Sequence, residues 1–212
     1  MSEALVALAR VRVQVKVCGV MTGSDAEAVT LAGADLLGFH FCPSLRQVTP
    51  RQAKAALAAL RGLHRPLAVG VFMDQDPEEV AEVAEDVGLD LIQLHGSESP
   101  ETVWPRPVMK ALKVNGTVMP SLDPWPDPVV LDSWTADGRG GSGRVWDWAG
   151  ALPLSSRRFF VAGGLTPDNV ASVVQRLRPY GVDVSSGVES EPGRKDPELV
   201  RRFVAAVREA SA

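Results

Sequence analysis

Residues 183–197 read D-V-S-S-G-V-E-S-E-P-G-R-K-D-P, and this stretch carries the strongest signal for fold and function. It continues a short apolar run that ends at Val184, after which Ser185, Ser186 and Gly187 turn the chain. Small residues let backbone N–H groups approach an anion closely, and a hydroxyl adds a further donor. The stretch therefore predicts a strand that ends in a phosphate-binding turn.

A second turn of the same kind lies upstream, in F-F-V-A-G-G-L-T-P-D-N-V over residues 159–170. Here an apolar strand ends at Gly163 and Gly164, and Thr166–Pro167 leads into a helix. Either turn alone is typical of an ordinary strand-to-helix joint. Two in succession favour the phosphate site that the loops after the last two strands of a (β/α)8 barrel form.

The rest of the chain alternates β-branched apolar runs with amphipathic helical patterns, which predicts parallel strands joined by helical crossovers. Helix starts are indicated by Ser24, by Thr49–Pro50 and by Asp76–Pro77. Eight strand–helix units favour a single-domain (β/α)8 TIM barrel over residues 1–212, with a short N-terminal extension at 1–13. An open doubly wound sheet is the alternative, but no G-x-G-x-x-G follows the first strand. The predicted strands are 15–19, 35–41, 67–72, 90–95, 107–114, 128–132, 158–162 and 181–184.

Composition narrows the class of protein. The chain has 212 residues, 45% of them hydrophobic, which is enough for one well-buried domain. A net charge of −4 without a basic run argues against a nucleic-acid partner. Two cysteines are too few for a disulfide framework, and no apolar run is long enough to span a membrane. The N-terminus lacks a signal-peptide pattern, so we expect a cytoplasmic protein without a membrane partner.

The active site of such a barrel lies at the carboxyl ends of its strands. That rule selects Cys18, Arg46, His95, Asp132 and Asp183. Asp132 ends a wholly apolar strand, where a carboxylate is either a loop cap or a catalytic group. His95 is either a substrate contact or a satisfied structural histidine, and the spacing of the three histidines predicts no metal site.

Strand alternation places Lys16 and Cys18 on one face of the first strand. A cation below the thiol would favour the thiolate and lower the pKa of Cys18. The alternative is that Cys18 is a small buried apolar residue, the common fate of an intracellular cysteine.

The longest irregular stretch, residues 133–145, is rich in glycine. A loop of this length in a compact domain is often an active-site lid. The alternative is a surface loop without a function.

Eight motifs follow one another along the chain. They are K-V-C-G (16–19), P-S-L-R-Q-V-T-P (43–50), G-V-F with a proline-led helix (70–77), Q-L-H-G (93–96), L-D (131–132), G-G-S-G-R-V-W-D-W (140–148), A-G-G-L-T-P-D-N-V (162–170) and D-V-S-S-G-V-E-S-E-P-G-x-K-D (183–196). Together they resemble the phosphoribosylanthranilate isomerase family, and the similarity extends from Val15 to the last helix. Any one motif alone would be a weak signal.

The resemblance implies a step of tryptophan biosynthesis, the Amadori rearrangement of N-(5-phosphoribosyl)anthranilate to 1-(2-carboxyphenylamino)-1-deoxyribulose 5-phosphate. The family's general base matches Cys18 and its general acid matches Asp132. Acid and base must act at one pH, so we expect a raised pKa for Asp132 and a lowered pKa for Cys18. No metal or organic cofactor is implied, because the protonated Schiff base is itself the electron sink.

The resemblance also implies how the substrate is bound. Arg46 matches the residue expected to bind the anthranilate carboxylate, a task suited to a planar guanidinium. Further substrate-binding candidates are His95, Asp183 and Lys16. The phosphate-binding candidates are Gly163, Gly164, Ser186 and Gly187, with Gly141 as a weaker one. The expected partner is a small phosphorylated molecule, and the expected state is a monomer or homodimer.

Two other functions stay open from the sequence. One is a related phosphosugar aminoaldose isomerase of the histidine pathway, which usually relies on two aspartates, so that Cys18 argues against it. The other is a non-catalytic barrel that binds a phosphorylated metabolite, which would need neither Cys18 nor Asp132. His40 stands where the family usually has an aliphatic residue, and the sequence assigns it no role beyond a hydrogen bond in the barrel wall.

Overall fold

The protein, described by a computed structural model over residues 12–114, 120–133 and 157–211, forms a closed eight-stranded parallel barrel. Each strand pairs with the next one in sequence, and β8 closes the barrel on β1. The predicted (β/α)8 barrel is confirmed. The strands are β1 Gln14–Cys18, β2 Leu36–His40, β3 Leu67–Phe72, β4 Leu91–Leu94, β5 Val108–Val114, β6 Val129–Ser133, β7 Phe159–Ala162 and β8 Gly181–Val184.

Five α-helices lie within the described residues, after β1, β2, β3, β7 and β8. They are α1 Gly23–Leu31, α2 Pro50–Ala58, α3 Pro77–Val87, α4 Val170–Leu177 and α5 Pro197–Ala210. Between β8 and α5 lie a 3-10 turn, Ser186–Val188, and a short antiparallel pair, β9 Glu189–Glu191 and β10 Arg194–Lys195. None of these helices is long and apolar enough to cross a membrane.

The segment after β4 carries no full helix, and its sequence predicts only a short helical turn from Ser99–Pro100. Residues 95–107 form turns and irregular backbone rather than a helix. Pro100, Pro105 and Pro107 explain this, because each lacks the N–H that an α-helix needs.

The helix starts were predicted well in two places and wrongly in one. Thr49 caps α2, as its sequence indicates, and Asp76 caps α3 by accepting the Glu78 N–H at 2.8 Å. The cap of α1 is Thr22, not Ser24. Asp25 decides this, because its carboxylate accepts the Thr22 N–H while Thr22 Oγ1 accepts the Asp25 N–H, both at 3.1 Å.

The apolar core consists of two clusters that alternate along the strands. In β2, Leu36 belongs to a cluster of strand residues only, together with Met109 and Phe160. Its neighbour Leu37 belongs to a larger cluster that includes helix residues such as Phe203. The first cluster therefore fills the barrel interior, and the second joins the strands to the helices.

The N-terminal residues 1–11 lie outside the described part of the chain, so the predicted extension at 1–13 stays a prediction. The same holds for most of the predicted lid at 133–145 and for Gly141.

Candidate active site

A cavity of about 270 Å³ opens at the carboxyl ends of the strands. It brings together residues that are far apart in sequence. Of the sequence-predicted site residues, the cavity is lined by Cys18, Arg46, His95, Asp132, Gly163, Gly164, Asp183, Ser186 and Gly187. The end of the barrel that the fold class predicts for chemistry is thus the end where the candidates meet.

Lys16 lies below the cavity rather than in its lining. The register of β1 and β8 sets Lys16 opposite Asp183, and Lys16 Nζ donates to Asp183 Oδ2 at 2.8 Å. Both side chains are buried. Burial lowers the pKa of Lys16, but Asp183 and Cys18 outweigh it, so that the net shift is upward. The second carboxylate oxygen of Asp183, Oδ1, is buried without a hydrogen-bond partner among the described residues.

The expected lowering of the Cys18 pKa is wrong for this cavity. Burial raises the pKa of the Cys18 thiol, and Lys16 lowers it by less. Asp183 also raises the pKa of the thiol, because its carboxylate offsets the Lys16 charge. The position of Lys16 two residues before Cys18 is visible in the sequence, whereas the position of the paired Asp183 is not.

Cys18 also contacts a histidine to which the sequence assigned no role. Cys18 Sγ lies 3.1 Å from His40 Nε2, and His40 Nδ1 lies 3.0 Å from Ser44 Oγ. Burial, followed by the charges of Lys16 and Arg46, lowers the pKa of His40 to about 4. The imidazole is therefore neutral at neutral pH. Strand alternation from Cys18 and its register partner Gly38 was the signal that could have revealed this contact.

Arg46 is held by an acidic partner that sequence reasoning missed. Arg46 Nε and Nη2 donate to the two carboxylate oxygens of Glu189, each at 2.7 Å. Lys195 Nζ donates to the same carboxylate at 2.8 Å. Burial alone raises the pKa of Glu189, but hydrogen bonds from Arg46 and Lys195 prevail and lower it to about 2. Glu189 is therefore ionised and fixes the guanidinium at the edge of the cavity.

His95 is a neutral residue in this cavity. Burial, then Lys16, lowers the pKa of His95 to about 3. Gln93 Nε2 lies 2.6 Å from His95 Nε2, so the side-chain amide of Gln93 occupies one ring nitrogen of His95. The following loop is anchored from below, because Lys110 Nζ donates to the Gly96 carbonyl at 2.5 Å and to Glu98 at 2.6 Å.

Asp132 reaches the cavity from a different part of the barrel than Cys18. It lies on β6, which β7 and β8 separate from β1. Its register partner on β5 is Lys113, which also lines the cavity. A carboxyl group and a thiol therefore face one cavity from separate strands.

The two predicted phosphate turns meet at the cavity wall. Gly163 and Gly164 follow β7, and Ser186 and Gly187 follow β8. A Cβ at Gly187 would overlap the carbonyl oxygen of Leu165. Only glycine therefore lets the second turn pack this closely on the first.

The described residues contain no cluster of three or more histidine, cysteine or carboxylate side chains arranged for a metal ion. The closed barrel and the cavity at its strand ends define a (β/α)8-barrel enzyme whose polar groups converge where that fold places catalysis.

Comparisons with known proteins identify the family. Residues 15–206 match the model of N-(5'phosphoribosyl)anthranilate (PRA) isomerase. An N-(5'-phosphoribosyl)anthranilate isomerase from Geobacter sp. (strain M21) is 44% identical over 206 residues, covering 93% of this chain and 99% of its own. The phosphoribosyl anthranilate isomerase of Thermotoga maritima has a solved structure that is 34% identical and covers 93% of this chain and 99% of its own, with a TM-score of 0.82.

A further solved phosphoribosyl anthranilate isomerase is in complex with reduced 1-(o-carboxyphenylamino)-1-deoxyribulose 5-phosphate. It is 32% identical, covers 93% of this chain and 99% of its own, and has a TM-score of 0.77. This chain therefore belongs to the phosphoribosylanthranilate isomerase family, and the predicted isomerase activity is confirmed.

Proposed function

We propose that this chain converts N-(5-phosphoribosyl)anthranilate into 1-(2-carboxyphenylamino)-1-deoxyribulose 5-phosphate, with Asp132 as general acid and Cys18 as general base. The observation that carries the proposal is that both side chains line the cavity formed in part by the two glycine turns. A small phosphorylated molecule is the partner that such a cavity suits.

The first step opens the sugar ring. The Asp132 carboxyl group gives its proton to the ring oxygen, and the bond from C1 to that oxygen breaks with its electron pair passing to the oxygen. The lone pair of the amine nitrogen forms the C1=N bond of a protonated Schiff base. A carboxyl group at the end of β6 acts here as a general acid.

The second step moves the double bond. The Cys18 thiolate takes the C2 proton, the C–H electrons form the C1=C2 bond, and the C1=N electrons return to nitrogen. Protonation of C1 and loss of the hydroxyl proton at C2 then give the ketone. The positive Schiff base favours the nearby thiolate, which offsets the raised pKa of the buried thiol. The step requires no metal or organic cofactor, because the Schiff base takes up the electrons.

The remaining candidates bind the substrate. Arg46 presents the Nη1 end of its guanidinium to the anthranilate carboxylate, since Glu189 uses its Nε and Nη2 groups. His95 offers its second ring nitrogen, Nδ1, to the substrate. Asp183 offers Oδ1, which has no hydrogen-bond partner among the described residues, to a substrate hydroxyl, and Lys16 acts through Asp183.

The phosphate is proposed to bind to the backbone of the two turns. Gly163, Gly164, Ser186 and Gly187 line the cavity together, which supports this assignment. Backbone N–H groups bind an anion without a charged side chain. Gly141 stays a weaker candidate.

A cytoplasmic location is proposed on the use of only two cysteines and on the biosynthetic role of the family. A monomer or a homodimer stays the expected state.

One assay separates the candidate functions. Purified protein is mixed with fluorescent phosphoribosylanthranilate, and in parallel with the aminoaldose of the histidine pathway. We expect loss of fluorescence with the first substrate and little conversion of the second. Conversion of the second substrate alone would favour the histidine-pathway isomerase. Binding without conversion of either would favour a metabolite-binding barrel.

A further inference from the structure

Three side chains form a line of hydrogen bonds that the proposed mechanism leaves unused. Cys18 Sγ lies 3.1 Å from His40 Nε2, and His40 Nδ1 lies 3.0 Å from Ser44 Oγ. Ser44 Oγ also accepts the backbone N–H of Arg46 at 3.1 Å. All of these residues line the cavity. The line therefore connects the proposed base to the loop that follows β2.

The barrel strands build this arrangement. Cys18 pairs in register with Gly38, and His40 lies two residues farther on the same face of β2. A Cβ at Gly38 would lie 2.8 Å from Cys18 Sγ, so that only glycine leaves room for the thiol. The His40 carbonyl accepts the Val48 N–H at 2.9 Å, which folds the loop back and holds Ser44 near the ring.

The charges around His40 keep its ring neutral. Burial and then the nearby cations lower the pKa of the ring to about 4. A neutral imidazole has one donor and one acceptor nitrogen, so it can take up a proton on one side and release one on the other without becoming charged. The titratable and charged groups that act on His40 are Lys16, Cys18, Arg46, His95, Asp183 and Lys195.

We propose that His40 and Ser44 form a proton relay that sets the ionisation of Cys18. The proposal rests on the proposed role of Cys18 as general base. Before ionisation, the thiol donates to His40 Nε2 and His40 Nδ1–H donates to Ser44 Oγ. The thiol proton then moves to Nε2, the Nδ1 proton moves to Ser44 Oγ, and the hydroxyl proton of Ser44 moves to a water molecule at the cavity rim.

The ring is neutral before and after this transfer, and its Nε2–H afterwards donates to the thiolate. Such a charge-assisted hydrogen bond is stronger than a neutral one. The thiolate needs this support, because Asp183 offsets the charge of Lys16 below it. His40 is thus a positioning residue that acts through Cys18.

The test follows the ionisation of Cys18 directly. The chain has two cysteines, so Cys42→Ala leaves Cys18 as the only thiol, and this variant is the reference for all others. The rate of alkylation by iodoacetamide is measured against pH, together with the pH profile of kcat/KM, because both report the free enzyme. In His40→Val we expect both profiles to move upward by about one pH unit, equivalent to about tenfold less thiolate at a given pH.

Ser44 gives a second, independent variant outside the barrel strands. Ser44→Ala removes the end of the relay, and we expect an upward shift in the same direction. Ser44→Thr keeps the hydroxyl, and we expect the profile of the reference. A structural role for His40 would lower kcat equally at all pH values. Circular dichroism checks that each variant is folded.

The outcomes distinguish the relay from the proposed mechanism. If His40→Val and Ser44→Ala leave both profiles at the pH of the reference, the relay does not exist. If alkylation shifts but the pH profile of kcat/KM does not, the relay stands and Cys18 is not the base of the isomerisation.

Discussion

Two sides of the cavity are built in different ways. On the charged side, Lys16 pairs with Asp183, and Arg46 and Lys195 pair with Glu189. On the glycine side, the two turns after β7 and β8 line the cavity mainly with small side chains and backbone. The charged side is ordered by its own ion pairs, whereas the glycine side depends on close backbone packing. Substitutions on the two sides should therefore impair the enzyme in different ways.

The largest effect is expected for the two reacting groups. Cys18→Ala and Asp132→Asn should each lower kcat by about 10²–10⁴-fold with little change in KM, because each removes a proton transfer made only in the transition state. Steady-state kinetics measures both constants. Near-normal turnover in either variant would remove that residue from the mechanism.

A methyl group on the glycine side should act through geometry. Gly187→Ala places a Cβ against the Leu165 carbonyl, which separates the two turns. We expect kcat/KM to fall by about 10²-fold and inhibition by inorganic phosphate to weaken. Ser186→Ala is the matched control, with a loss below about tenfold, since it removes one hydroxyl and keeps the backbone. Unchanged phosphate inhibition in Gly187→Ala would place the phosphate elsewhere.

A change at the edge of the charged side should affect binding more than chemistry. Arg46→Ala should raise KM by about tenfold or more and lower kcat by less, because a remote carboxylate contact is largely the same in ground and transition states. Arg46→Lys keeps the charge but loses the planar fork, so we expect an intermediate KM. A collapse of kcat at constant KM would make Arg46 part of the chemistry.

The smallest effect concerns the pH dependence of stability. The pKa of Glu189 is lowered to about 2, so its contribution to the free energy of unfolding is complete above the ordinary glutamate value of 4.5. That contribution is lost as the pH falls from 4.5 toward 2. The Tm of the natural chain should therefore fall more steeply between pH 5 and 3 than that of Glu189→Gln. Parallel slopes would show that Glu189 is not held by Arg46 and Lys195.

The two sides also differ in how far the sequence predicts them. The glycine turns are local features of the sequence. An apolar run followed by Gly163–Gly164 or Ser186–Gly187 predicts where a strand ends and that a turn with accessible backbone follows it. The ion pairs are not local. Residues 167 positions apart form the Lys16–Asp183 pair, and no short pattern reveals such a contact.

The errors at the site have the same origin. The pKa of Cys18 was predicted to fall because Lys16 is two residues away, while the opposing carboxylate arrives from β8. The role of Glu189 was missed because its partner Arg46 lies 143 positions earlier.

The cap of α1 was misassigned for a local reason, since Asp25 favours Thr22 over Ser24.

The central claim is that Asp132 and Cys18 act in two separate steps, from separate strands. Single-turnover kinetics with substrate carrying deuterium at C2 tests it most directly. We predict slower conversion of the labelled substrate by the natural chain, because Cys18 breaks the C2–H bond. In Asp132→Asn the isotope effect should shrink, since ring opening then limits the rate, whereas in Cys18→Ala it should persist. Equal rates for labelled and unlabelled substrate in the natural chain, or an undiminished isotope effect in Asp132→Asn, would contradict this division of roles.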